Sequence, residues 1–471
     1  MTSDRAPLLP DPGSFRDPTS RVFVDADHDR VVRAMQPDAF ADLRHALDGA
    51  FLPRAIADRR VVATTPVDDP RSAGLPETWT AAVEHPRLHS WSYPYEWTFS
   101  MLRDAAVLQL ELLRDALAED LAFKDATPYN VQFDGALAQF VDVGSIERLQ
   151  PGDPWFGYLQ FCQQYLYPLL VTAYADLPFQ PLLRGSIDGV TPEIASRLLG
   201  PLRLPRRGVL VHVALHARAQ ARFADTDADV GAELKQGGMR KELIEANVRG
   251  LLRTVTALRW KRSESAWSTY TERAHYTDAD LRAKEAFVGD VAGRRRWSIA
   301  WDVGCNDGRF SELIAPQTDR VVAFDADHLV VDLLYRRLAA RRDRTILPLV
   351  VDLTDPSPGL GWANVERPAF LERNRPELVL ALAVIHHLAI TGNVPTARVL
   401  DLFAGLGAAT VLEVPTEDDP KVRQLLRNKR AGVHDDYRLE RIEAEIGERF
   451  DVGARVVLPS QTRVLFELAP R

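Results

Sequence analysis

Cysteine is almost absent. The 471 residues hold two, Cys162 and Cys305, each in an apolar or glycine-rich setting and without the paired spacing that a disulfide framework or a zinc site needs. No structural metal is expected. Long apolar runs are also missing, because the stretches near Tyr165–Ala173 and Leu378–Ile390 are shorter than the ~18–20 residues needed to cross a bilayer, and the second contains two histidines. The opening residues MTSDRAPLLPDPGSF mix acids and prolines where a secretory leader has a basic start and an apolar run, so the sequence reads as cytoplasmic. Basic residues are not in excess. The 58 Lys and Arg against 66 Asp and Glu leave a formal net charge of −8, which argues against a general nucleic-acid-binding surface and leaves only local basic patches. No repeat of fixed period is visible.

What is present is the composition of a folded protein, 46% hydrophobic and 26% charged, long enough at roughly 100–200 residues per domain for two to four domains. Residues 1–20 are rich in proline and polar groups and read as an N-terminal arm. Arg21–Val24 and Arg30–Met35 read as strands of a hairpin, Pro37–Leu47 as a helix and Arg60–Thr64 as a further strand. In Trp97–Leu117, Leu102, Ala106, Leu110, Leu113 and Leu117 recur at three and four residues and predict a long helix with one apolar stripe. Two short strands, Val131–Phe133 and Gln139–Val141, flank the turn pair Asp134-Gly135, and helical patterns fill much of Trp155–Thr256. From residue 298 strand and helix signals alternate, as in a parallel sheet covered on both faces. The strands are Ser298–Val303, Arg320–Asp325, Ile346–Asp352, Leu378–Val384 and Thr410–Val414. The last two, Phe450–Leu458 and Thr462–Leu468, are too closely linked to pair other than antiparallel.

The run Ala300-Trp-Asp-Val-Gly-Cys-Asn-Asp-Gly308 is a strand leading into a glycine-rich turn, with a helix opening at Arg309. Gly304 lets a ligand approach the backbone and Gly308 lets the helix start close to the strand. Asn306 tolerates the left-handed conformation better than other side chains. A dinucleotide site would need G-x-G-x-x-G, and Arg309 stands where its last glycine would fall. Asp325 and Asp352 end the next two strands. The first carboxylate can take both hydroxyls of a ribose and the second can accept from an adenine amino group, which together describe an adenosine pocket. Each acid taken alone is equally at home in a solvated loop.

At these residues Ser298–Arg471 resembles a class I S-adenosylmethionine-dependent methyltransferase domain. The resemblance implies that the Gly304–Gly308 turn, with Asn306, contacts the methionine portion of S-adenosylmethionine, with Asp302 as its leading acid, Asp325 on the ribose and Asp352 near the adenine. Residues 241–297 become a helical lead-in, in which Tyr270 would lie over the cofactor. The acceptor side falls after the fourth strand, in Ala383-Val-Ile-His-His-Leu388. There His386 or His387 would take a proton from the acceptor or serve only in packing, and Glu413 is a further candidate.

In the first half, Lys124-Asp-Ala-Thr-Pro-Tyr-Asn130 followed by Asp142-Val-Gly144 resembles the catalytic and metal loops of protein-kinase-like and aminoglycoside-phosphotransferase-like folds. The resemblance implies Asp125 on an acceptor hydroxyl and Asn130 with Asp142 on Mg²⁺ against the phosphates of ATP. Lys124 departs from the usual His-Arg, no glycine-rich loop precedes it, and Arg33 is the nearest cation for the missing strand lysine. Asp125 and Asn130 are also ordinary turn residues. The order of the two halves, with the phrases Lys124–Asn130 and Glu413–Pro420, resembles bacterial methyltransferase-family proteins related to the nodulation protein NoeA.

The expected fold class is therefore an α/β Rossmann-like methyltransferase sheet at residues 298–471 behind an α+β kinase-like domain at residues 21–240 with a helical C-lobe. The expected activity is methyl transfer to an oxygen or nitrogen nucleophile of a small-molecule or saccharide-like acceptor, with neither membrane nor nucleic acid as partner. Two alternatives stay open: a second, ATP-dependent phosphotransfer activity, and a first half that only holds a partner or carrier.

Overall fold

The computed structural model describes residues 8–25, 28–71, 73–215, 241–262, 277–427, 429–430 and 432–471. They divide into two compact units, one of Met1–Phe133, Ala138–Lys261 and Pro358–Pro368, the other of Asp134–Leu137, Arg262–Ser357 and Ala369–Arg471.

In the first unit, β1 (Leu9–Pro10), β2 (Ser20–Asp25), β3 (Arg30–Met35), β4 (Thr65–Pro66) and β5 (Ala81–Pro86) form an antiparallel sheet in the order β1-β2-β3-β5-β4. Phe23 pairs with Val32 across β2 and β3, and Val32 and Ala34 share the buried face with Ala82, as period-two alternation requires. The strand expected at Arg60–Thr64 does not form. Its residues make one parallel bridge, Val61 to Phe140, and the strand begins at Thr65. Arg59 leaves the preceding helix with φ 56°, and the apolar pair Val61 and Val62 is consumed by burial instead of by a ladder.

The helix Phe99–Leu117 starts at Thr98, whose hydroxyl accepts from the Met101 amide. All five residues of its predicted stripe are fully buried, and so are Met101, Ala105, Leu112 and Ala116 on other faces. One neighbour covering it is the helix Lys241–Ala257, which the sequence assigns to the lead-in and which groups with the first unit. The unit also contains β6 (Leu121–Phe123), β9 (Ile146–Arg148) and all but the turn-side ends of β7 (Val131–Asp134) and β8 (Leu137–Phe140), with β6 antiparallel to β9 and β7 paired with β8.

The second unit is built on β10 (Trp297–Val303), β11 (Thr318–Asp325), β12 (Ile346–Val350), β13 (Leu378–Ala381), β14 (Ala409–Pro415), β15 (Phe450–Val457) and β16 (Arg463–Pro470). Their order is β12-β11-β10-β13-β14-β16-β15, parallel except for β16, which runs antiparallel to both neighbours. β10 starts in the middle, the chain winds outward through β11 and β12, then crosses back to β13. The carboxyl ends of β10 and β13 thus lie side by side where winding reverses, the place at which open α/β sheets receive ligands. Trp301, Phe324 and Phe370 pack as one aromatic cluster, with ring centroids 5.1–5.6 Å apart.

Candidate functional site

The turn after β10 is wound back onto β11. The amides of Gly304 and Cys305 donate to the Phe324 carbonyl at 2.9 and 3.0 Å, and the Gly308 amide closes onto the Cys305 carbonyl at 2.8 Å. Gly304, Asn306 and Gly308 all have positive φ, at 68°, 47° and 80°, so the asparagine does take the left-handed conformation. A Cβ on Gly304 would stand 2.7 Å from Val384 Cγ2, and one on Gly308 2.6 Å from Leu334 Cδ1. Gly308→Ala is expected to cost about 1–2 kcal/mol from its left-handed backbone before the Leu334 contact is counted. A urea midpoint equal to wild type would contradict that reading.

The Asp325 carboxylate, at the end of β11, accepts from the Asn306 amide at 3.1 Å and the Asp327 amide at 3.0 Å. A carboxylate has about four acceptor positions, so capacity remains for hydroxyl donors. Burial holds this carboxyl above its ordinary range against the pull of those amides. Asp352, past the end of β12, is exposed and accepts from the amide and hydroxyl of Thr354 at 2.8 and 2.7 Å. The left-handed turn at Gly304, Asn306 and Gly308 and the spare acceptor sites of Asp325 fit an adenosine-bearing ligand laid along this edge.

Asp302 is buried and accepts from Ser311 Oγ at 2.6 Å. Burial pushes its carboxyl up to about 6. Because the folded value is raised, its stabilising contribution is complete below the ordinary value of 3.8 and disappears as pH climbs through about 6. With no cofactor added, Asp302→Asn is expected to gain about 3 kcal/mol over wild type at pH 8, since each tenfold loss of acidity is worth about 1.4 kcal/mol, and almost nothing about one pH unit below the ordinary value of 3.8. Parallel melting curves at the two pH values test this, and an equal gain at both would refute it.

β13 ends in a strained corner, since Ala383 has φ 56°, and a π-helical turn follows at His387–Thr391, a distortion frequent at functional sites. His386 is fully buried, and neither of its ring nitrogens has a hydrogen-bond partner. His387 is half-buried with its ring centroid 4.1 Å from that of His386. Burial, with the charges of Lys421 and Arg463, pushes His387 down to about 4, so this imidazole is neutral at physiological pH. Of the two, His387 is the one reachable from outside.

Glu413 has a different setting from the one expected. It is fully buried, 2.6 Å from Lys284 Nζ and 3.0 Å from Arg463 Nη1, and Arg463 Nε reaches Asp419 at 2.7 Å. Asp419 also caps the helix Pro420–Leu426 through the amides of Lys421 and Val422. Two cations and two carboxylates compensate one another, and Glu413 is engaged as an anion. The sequence carried a signal for Lys284, which lies on one face of the helix Asp278–Gly293 with Asp280, Val288 and Val291, all buried. Nothing comparable singled out Arg463, Asp419 or Ser311. Tyr270 lies outside the described residues.

In the first unit, Asp125 stands at the surface, and partial desolvation together with the charges of Asp142 and Asp17 holds its carboxyl above the ordinary range. Asn130 contributes its backbone carbonyl to the Val141 amide at 2.9 Å. Asp142 is paired with Arg33 at 2.7 Å, and Lys124 Nζ donates to Thr19 Oγ1 and the Gly144 carbonyl, both at 3.2 Å. Arg33, read from sequence as a phosphate ligand, thus meets the carboxylate read as a metal ligand. Among the described residues no three His, Cys, Asp or Glu side chains are grouped so as to hold a metal ion.

No protein-family model matches the chain. Nodulation protein NoeA of Rhizobium meliloti (strain 1021) is 30% identical over 457 residues, 96% of this chain and 94% of its own length. Among solved structures, N-methyltransferase NodS from Bradyrhizobium japonicum WM9 is 15% identical, with 41% of this chain and 98% of that one covered at a TM-score of 0.31. The bifunctional kinase-methyltransferase WbdD is 15% identical, with 44% of this chain and 43% of that one covered at a TM-score of 0.30.

Proposed function

Since the chain belongs to the family of the nodulation protein NoeA, we propose that its second unit is an S-adenosylmethionine-dependent methyltransferase acting on an oxygen or nitrogen nucleophile of a small-molecule or saccharide-like acceptor. The observation that carries this reading is the left-handed turn Gly304–Gly308 tied to the Asp325 carboxylate at the reversal point of the sheet. The cofactor, when bound, supplies an electrophilic methyl group on a sulfonium. The chain's own part is to bind and align. Asp325 takes the ribose hydroxyls, Asp352 receives the adenine amino group, and the backbone of the Gly304–Gly308 turn meets the methionine portion. His387, kept neutral by its surroundings, accepts a hydrogen bond from the acceptor's N–H or O–H and turns its lone pair toward the methyl group. Positioning of the two reactants then accounts for most of the rate. Glu413 has no place as a base here, because Lys284 and Arg463 hold it ionised and enclosed. Calorimetric titration of S-adenosylhomocysteine into the full chain tests the proposal, with saturable binding expected and absence of heat overturning it.

For the first unit the pairing of Arg33 with Asp142 favours a kinase-like scaffold that holds a partner or carrier over a second phosphotransfer activity. A cation already neutralises the carboxylate that Mg²⁺ would need. Titration of ATP with Mg²⁺ should give no binding to the wild-type chain. Binding that disappears in Asp142→Asn would reverse the choice and make the first unit a nucleotide site.

A further inference from the structure

The chain is acidic overall, yet residues 421–430 contain Lys421, Arg423, Arg427, Lys429 and Arg430 and no acid. This segment follows closely on the carboxyl end of β14, and Asp419 anchors it by capping the helix Pro420–Leu426 while bound to Arg463. Its position relative to the proposed methyl-transfer edge is set by packing, because the helix Pro420–Leu426 lies against the turn His387–Thr391. Arg423 is matched by Asp418. Arg427 and Arg430 are exposed and Lys429 half-buried, and among the described residues none of these three side chains has an ion pair or hydrogen bond. The acids that follow, Asp435 and Asp436, pair with none of them. Uncompensated like charges on a short segment repel one another, and the field they create concentrates anions at that place.

We propose that Arg427, Lys429 and Arg430 receive a phosphate-type dianion carried by the methyl acceptor, so that the acceptor is an anionic molecule whose nucleophile reaches His387 while its phosphate rests on these three cations. A single carboxylate would leave most of that positive charge unmatched, whereas a dianion suits three neighbouring cations. The inference rests on the methyltransferase reading. The phosphate belongs either to a sugar phosphate or to a nucleotide-linked sugar, and both present the same chemistry to the segment.

The test uses the full-length chain saturated with S-adenosylhomocysteine, titrated separately with uridine diphosphate and with a glucose monophosphate. At least one is expected to bind, more weakly as salt is added, and with at least tenfold lower affinity in the Arg427→Ala/Arg430→Ala double variant. Binding of uridine diphosphate alone assigns the nucleotide-linked source, binding of the glucose monophosphate alone the simple sugar phosphate, and binding of both a site that reads phosphate only. Binding of neither, or binding unchanged in the double variant, overturns the inference. The homocysteine titration itself separates the two levels. If S-adenosylhomocysteine binds and the anions do not, only the inference falls, whereas loss of the first binding removes the reading beneath it.

Discussion

Asp325→Ala is expected to lower the affinity for S-adenosylhomocysteine by about two orders of magnitude, more than any other single change near the turn. A hydrogen bond to a charged acceptor is worth about 1.5–3 kcal/mol, and two ribose hydroxyls lost together come to about 3 kcal/mol or more, a factor of ~100 at 1.4 kcal/mol per decade. The variant also releases the amides of Asn306 and Asp327, which loosens the turn that the ligand must meet. Asp325→Asn keeps the shape and one acceptor oxygen, and it should fall between wild type and alanine. The affinity should also weaken on acidification, because the ionised carboxylate accepts the hydroxyls and burial has raised its pKa. Calorimetry at neutral pH decides the matter, with a urea titration to show that each variant is folded. An alanine variant that binds as wild type would remove Asp325 from the pocket.

Arg463→Ala is expected to have the largest effect on stability. It would leave Asp419 without its guanidinium partner and Glu413 with the Lys284 ammonium alone, both carboxylates being fully buried. Removing one partner of a buried ion pair costs about 3–5 kcal/mol, because an uncompensated charge stays behind in a poorly polarisable surrounding. Arg463→Lys restores the charge but cannot reach both acids with a planar fork, so it should recover only part of the loss. Urea denaturation monitored by circular dichroism measures both. An alanine variant within about 1 kcal/mol of wild type would show that water or a rearranged side chain compensates the two acids. Lys284 gives an internal comparison. Burial lowers its pKa, so Lys284→Met, which leaves Arg463 between both carboxylates, should cost less than the loss of the arginine.

Much of the second unit could be read from local pattern. The alternation of strand and helix from residue 298, the Gly304–Asn306–Gly308 turn and the closing antiparallel pair all depend on interactions between residues near one another in the chain. Backbone sterics make the left-handed positions legible as glycine or asparagine, and a short linker leaves β15 and β16 no other way to pair. The helix Phe99–Leu117 was legible as a helix but not as a nearly enclosed one, since its covering helix Lys241–Ala257 is distant in sequence. The strand expected at Arg60–Thr64 failed for a related reason. Val61 and Val62 have the side chains of a strand, but what they pair with was decided by the position of Phe140.

The charged residues divide most sharply. Asp302, Asp325 and Asp352 were visible as acids at strand ends, because their place in the sheet follows from the strands themselves. Glu413 was equally visible, but its state was not. A carboxylate next to solvent and one enclosed by Lys284 and Arg463 look the same in sequence, and Coulomb energy depends on distances that only the packed chain sets. The same holds for Arg33, a cation near phosphates by pattern and a partner of Asp142 by geometry. Residue type and spacing along the chain suffice for the turn, the strand polarity and the acids that border the proposed cofactor edge. Which charges neutralise one another, which histidine is reachable and which cations stay uncompensated depend on contacts between segments remote in the chain, and those exist only after folding.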